Sequence, residues 1–64
     1  MNETKFEHWS ELSADGNEYW YFRLKAPNGK IICQSEAYKT RQGCLNGIQS
    51  VRHNAPLART VLVP

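Results

Sequence analysis

The sequence predicts an α+β fold: an antiparallel meander of three strands, one helix packed on the sheet and a short C-terminal strand, in the order β-β-β-α-β. Three observations carry this prediction. Residues 18–26, EYWYFRLKA, alternate between two faces and are rich in aromatics, as a half-buried strand requires. Turn segments containing Gly stand on either side of it, SADGN at 13–17 and PNG at 27–29. From Thr40 onward the apolar residues recur at helical spacing.

The first strand is expected over residues 5–12. It ends at Ser13-Ala14-Asp15-Gly16-Asn17, where Asp-Gly supplies the positive backbone torsions of a hairpin, so the first two strands pair antiparallel. In the second strand Trp20, Phe22, Leu24 and Ala26 share one face, and Tyr19, Tyr21, Arg23 and Lys25 share the other. Pro27 presets the first torsion of the next turn and Asn28-Gly29 tolerates the left-handed region, which leaves residues 30–35 as the third strand. Both connections are short, so neighbours in sequence become neighbours in space.

In the helix, Cys44, Ile48 and Val51 form one stripe with Leu45 and Gly47 at its flanks, while Arg41, Gln42, Gln49, Ser50, Arg52 and His53 face water. Thr40 is the cap, Asn54 the end residue, and Pro56 prevents continuation, which sets the helix at residues 41–53. Gly43 and Gly47 each cost roughly 1 kcal/mol against alanine in a helix interior. A helix pressed closely on a sheet tolerates that cost. Thr60, Val61, Leu62 and Val63 are β-branched or apolar and predict a last strand that pairs with a sheet edge.

At 64 residues and 7.4 kDa the chain forms one domain, residues 1–64. A domain of this size hides only ~60% of the surface that its unfolded form exposes, so a second subunit is expected to add to the core. No apolar run approaches the length of a membrane span, and Met1-Asn2-Glu3-Thr4-Lys5 lacks a secretory start, which together predict a cytoplasmic protein without membrane attachment. The net charge of +2 and the pI of about 8.7 are too mild for a strongly basic nucleic-acid binder. The charges are nevertheless unevenly spread. All six acids (Glu3, Glu7, Glu11, Asp15, Glu18 and Glu36) precede residue 37, where four bases leave a balance of −2, and residues 37–64 carry +4. Such asymmetry marks either an anionic partner or a basic half packed beside an acidic one.

Several segments together resemble the YegP-like family of small prokaryotic proteins of unknown function. They are Tyr21-Phe22-Arg23-Leu24-Lys25-Ala26, Asn28-Gly29-Lys30-Ile31-Ile32, Ser35-Glu36-Ala37-Tyr38, Gly43-Cys44-Leu45-Asn46-Gly47-Ile48-Gln49-Ser50-Val51 and Asn54-Ala55-Pro56. The resemblance runs in order from about Phe6 to Ala55 and implies antiparallel strands with a helix on one face. Many members of that family carry two tandem copies of the unit, whereas this chain has one. The resemblance therefore implies a homodimer, in which two chains rebuild what a tandem member makes alone. It brings no catalytic residue with it. His8 in the first strand, and Leu57-Ala58-Arg59 after the helix, depart from the family's pattern.

Nucleophilic catalysis needs a Ser or Cys framed by a His and a carboxylate, and no elbow or paired-acid motif frames one here, so no enzyme and no cofactor are expected. Cys33 and Cys44, with His8 and His53, match no zinc spacing, and the two cysteines are expected as small buried apolar residues without metal. Two surfaces remain as candidate binding sites. On strand two, Tyr19 and Tyr21 can stack bases while Arg23 and Lys25 meet phosphates, the arrangement of sheet-based single-strand binders; Glu7 and Glu11 are the neighbours that would neutralise them. At the helix start, Lys39 and Arg41 add positive charge, and the unpaired N–H groups there, with Thr40, suit an anion. Thr60, Val61, Leu62 and Val63 are the expected dimer contact.

Overall fold

The computed structural model describes residues 3–64; residues 1 and 2, part of the single domain expected over 1–64 and of the N-terminal stretch read for a secretory start, lie outside the described residues. Strands β1 (Lys5–Leu12), β2 (Glu18–Lys25) and β3 (Ile31–Gln34) are followed by helix α1 (Arg41–Asn54) and one 3-10 turn (Ala55–Leu57). The sheet is antiparallel in the order β1-β2-β3, the expected meander. In the first turn the Ser13 N–H donates to the Asn17 carbonyl at 2.8 Å and the Asn17 N–H to Asp15 Oδ1 at 2.9 Å, with Gly16 at φ 87°. The second turn closes with the Gly29 N–H on the Ala26 carbonyl at 2.9 Å, with Gly29 at φ 85°. Only glycine adopts such torsions without strain.

The third strand is shorter than the six residues expected, because the register slips. Leu24 stands opposite Cys33 and Lys25 opposite Ile31, which leaves Ile32 as an extra residue in a bulge. Beyond it the chain returns to the same edge of β2. Ser35 Oγ accepts the Phe22 N–H at 2.9 Å while the Ser35 N–H donates to the Phe22 carbonyl at 2.9 Å, and Trp20 and Tyr38 exchange both backbone bonds at 2.7 and 2.8 Å. The side of β2 away from β1 is thus satisfied along its length, by β3 at one end and by residues 35–38 at the other.

Helix α1 lies over β2. Thr40 caps it, Oγ1 accepting the Gly43 N–H at 2.9 Å, and Arg52 and His53 occupy its last turn, where the dipole favours them. Phe22, Cys44 and Ile48 are the buried core, and Phe6, Trp20, Tyr38, Leu45 and Val51 pack around them. Phe22 meets Phe6 edge to face and Tyr38 in a stack, both at 6.0 Å between centroids. Burial pushes the Cys44 thiol above its ordinary pKa. Gly47 explains how the helix comes this close: a Cβ there would run into the Tyr38 hydroxyl, stand 2.7 Å from Tyr38 Cζ and 3.1 Å from Phe22 Cε2. The expected close approach of the helix backbone is therefore made at Gly47, against the ring of Tyr38.

Two expectations are corrected. Residues 60–63 form no strand within this chain: they follow the 3-10 turn as an exposed segment, Leu62 being 93% exposed. A strand exists only through pairing, and among the described residues no strand pairs with these. Cys33 is exposed, because it sits on the short edge strand β3 beyond the cover of the helix over β2. Among the described residues no helix is long and apolar enough to cross a membrane.

Candidate functional site

The helix covers one face of the sheet and leaves the other open. The alternation that turns Phe22 toward the helix turns Tyr19, Tyr21, Arg23 and Lys25 away from it, so the four residues expected to share a face do so. Register then sets their partners on β1: Lys5 opposite Lys25, Glu7 opposite Arg23, Trp9 opposite Tyr21 and Glu11 opposite Tyr19. Trp9 stacks on Tyr21 with centroids 5.8 Å apart, and the Arg23 guanidinium carbon lies 5.0 Å from the Trp9 centroid. Such cross-strand aromatic and cation–π pairs are each worth up to about 1 kcal/mol.

Acids meet the polar ends of this ladder. Arg23 Nε donates to Glu7 Oε1 at 2.7 Å, with Lys5 Nζ and Lys25 Nζ at 3.6 and 3.8 Å from the same carboxylate. Trp9 Nε1 donates to Glu11 Oε2 at 2.9 Å, and the Tyr19 hydroxyl donates to Asp15 Oδ2 at 2.8 Å. The hydrogen bond from Arg23, aided by the charges of Lys25, Arg23 and Lys5 and opposed by desolvation, holds the Glu7 carboxyl below its ordinary 4.5. The Asn17 N–H, then the Tyr19 hydroxyl, hold Asp15 below 3.8, and the same bond to Asp15 raises Tyr19 above 10.0.

A pH dependence follows from these directions. A carboxyl with a depressed folded pKa stabilises fully above its unfolded value and loses that contribution as pH falls through the folded one. The thermal midpoint should therefore hold from neutrality down to about 4.5, the ordinary Glu value, and decline below it. The double variant Glu7→Gln with Asp15→Asn should flatten that decline in a series of melts. An unchanged acid limb would assign it to other carboxyls.

The helix start is organised differently. Thr40 spends its hydroxyl oxygen on the Gly43 N–H, Arg41 lies 5.9 Å from the Trp20 ring centroid, and Lys39 lines a shallow pocket with Asn17, Glu18 and Tyr19. Lys39 and Arg41 thus attend to different neighbours. Between β1 and α1 runs a groove of about 410 Å³, with Phe6, Leu45 and Ile48 among its apolar lining and His8, Asn46 and Arg52 among its polar residues. Thr60, Val61, Leu62 and Val63 stand exposed and line neither the pocket at Lys39 nor the groove between β1 and α1. Glu7 stands beside Arg23 and Lys25 as the neutralising neighbour the sequence predicts, Glu11 bonds Trp9 instead, and Lys5 and Trp9, which residue typing along β2 does not reach, join the face only through the β1–β2 register. Their alternation along β1 was the signal available.

A β-β-β-α unit with one covered and one open sheet face is a small α+β module. The chain belongs to the family described as a domain of unknown function (DUF1508), which matches residues 15–61, and so to the YegP-like proteins. It is 47% identical over 60 residues to the UPF0339 protein of Methanosarcina acetivorans, a match covering 94% of this chain and 97% of that protein. Its similarity to the UPF0339 protein YegP of Escherichia coli, 44% over 48 residues, covers 75% of this chain and 44% of YegP. An NMR solution structure of a protein from Haloferax volcanii superposes with a TM-score of 0.75 at 33% identity, covering 98% of this chain and all of that one.

Proposed function

We propose that the protein is a cytoplasmic homodimer with a binding or structural role and no catalysis of its own. The observation that carries this reading is the apolar surface left over once the chain has folded. Leu57, Val61, Leu62 and Val63 are between 62% and 93% exposed, and covering one such side chain stabilises by about 1.5–3 kcal/mol. In this reading Thr60, Val61, Leu62 and Val63 of each chain add as a strand to a sheet edge of the other, for which β1 and β3 are the available strands. The lengths of the relatives support it. The match spans nearly all of the Methanosarcina protein but less than half of YegP, whose remaining length accommodates a second unit in the same polypeptide. Light scattering across a dilution series should give twice 7.4 kDa. A mass of one chain at every concentration overturns the reading.

One observation favours a second reading, weak binding of single-stranded nucleic acid or another phosphate-bearing ligand. It is the Trp9–Tyr21 stack beside Lys5, Arg23 and Lys25 on the uncovered face. Lys39, Thr40 and Arg41 are the other place for an anion in this reading, and the weaker one, because Thr40 and Arg41 already have partners.

A further inference from the structure

One corner of the open face has the geometry of an anion site that is already filled. Glu7 lies 2.7 Å from Arg23 Nε, 3.6 Å from Lys5 Nζ and 3.8 Å from Lys25 Nζ. Three cations around one carboxylate keep a local charge of +2. Lys5 and Lys25 are directly opposite in register, a like-charge pair that is unfavourable without an anion near it. The Arg23 bond to Glu7 runs through Nε, so the terminal fork of the guanidinium retains N–H groups for a further acceptor. Two residues along the same face, about 6.8 Å from Glu7 at strand spacing, stands Trp9 on Tyr21.

We infer that this corner is a nucleotide subsite in which Glu7 holds the place of a phosphate. Single-stranded nucleic acid binds with a backbone phosphate on Lys5, Arg23 and Lys25 and the adjoining base against Trp9 and Tyr21, and Glu7 competes with that phosphate. The inference rests on the second reading above and adds to it the competitor and the residues of β1. The ligand class follows from the pairing of features: inorganic phosphate has no use for the aromatic pair, and the acidic side chains of a peptide carry no flat ring, whereas nucleic acid joins an anion and a ring in every unit. A strand of nucleic acid presents both at the spacing of one nucleotide. The short Glu7 contacts make wild-type binding weak and the removal of one carboxylate a gain.

The test is a tryptophan-fluorescence titration of the full chain with a short oligothymidylate, and separately with inorganic phosphate, at two salt concentrations. Glu7→Gln should tighten oligonucleotide binding by roughly 2- to 5-fold, the scale of one exposed charge pair. It should also steepen the salt dependence, by ~0.7 in log–log slope for each phosphate newly engaged. Trp9→Leu, read by amide shifts, should weaken oligonucleotide binding by roughly 5- to 150-fold and leave phosphate alone unaffected. Oligonucleotide binding that is unchanged or weakened in Glu7→Gln overturns the inference and leaves the second reading standing, with Glu7 merely positioning Arg23. No binding by either protein at low salt overturns both. If Glu7→Gln or Trp9→Leu instead changes the mass by light scattering, the face is covered by a second copy, and the inference falls on that outcome too.

Discussion

Phe22→Ala should leave the chain without a cooperative thermal transition. Phe22 is 4% exposed and sits where every part of the core converges, against Phe6 on β1, Tyr38 on the returning segment and the helix at Gly47. Truncating a buried phenylalanine costs about 3–5 kcal/mol, transfer and cavity together. A single hydrophobic core in a chain this short supplies no more than about 3–5 kcal/mol. The two magnitudes are equal, so the variant has nothing left over. Near-UV circular dichroism should lose its aromatic signal, and the amide spectrum should collapse toward unfolded shifts. At about 4–8 °C per kcal/mol for a domain of this size, a midpoint lowered by only a few degrees would mean that the core is held from elsewhere.

What was legible in the sequence is what local chemistry decides. The limits of β1, the two turns and the helix follow from alternation, from Gly16 and Gly29, from Thr40 and from Pro56, each acting within a few residues. The tolerance of Gly47 was legible too, as a close approach, although not its partner, because Tyr38 reaches the helix only after residues 35–38 have returned to β2. What was not legible depends on register. Cys33 reads as a small apolar residue, yet a bulge at Ile32 and an edge position leave it in water. The same holds for the candidate site. Tyr21, Arg23 and Lys25 announce themselves by type on one strand, with Glu7 as the acid expected to neutralise them, while Trp9 and Lys5 join them only because β1 pairs Trp9 with Tyr21 and Lys5 with Lys25. Pairing between chains is one step more remote still, and the segment from Thr60 to Val63 has its strand-forming composition without a partner among the described residues of its own chain.

Leu62→Asp should split the proposed dimer and leave the fold of each chain intact. The two effects separate because Leu62 is 93% exposed in the single chain, so no intrachain packing is lost with it, whereas in the dimer it is covered by the partner's sheet. Covering a leucine is worth about 1.5–3 kcal/mol, and the aspartate adds the cost of desolvating a carboxylate among apolar groups. Taking about 3 kcal/mol per chain, and two copies in each dimer, the dissociation constant rises on the order of 10⁴-fold. At micromolar protein the scattering mass should fall to 7.4 kDa while far-UV circular dichroism keeps its strand and helix signal. The thermal midpoint should drop and lose its dependence on concentration, since association no longer adds to folding. Leu62→Ala should move the same observables in the same direction by less, because it removes contact without adding charge. Should Leu62→Asp keep both the mass and the midpoint of the parent, the segment is a loose tail and the dimer, if one forms, is built on other residues.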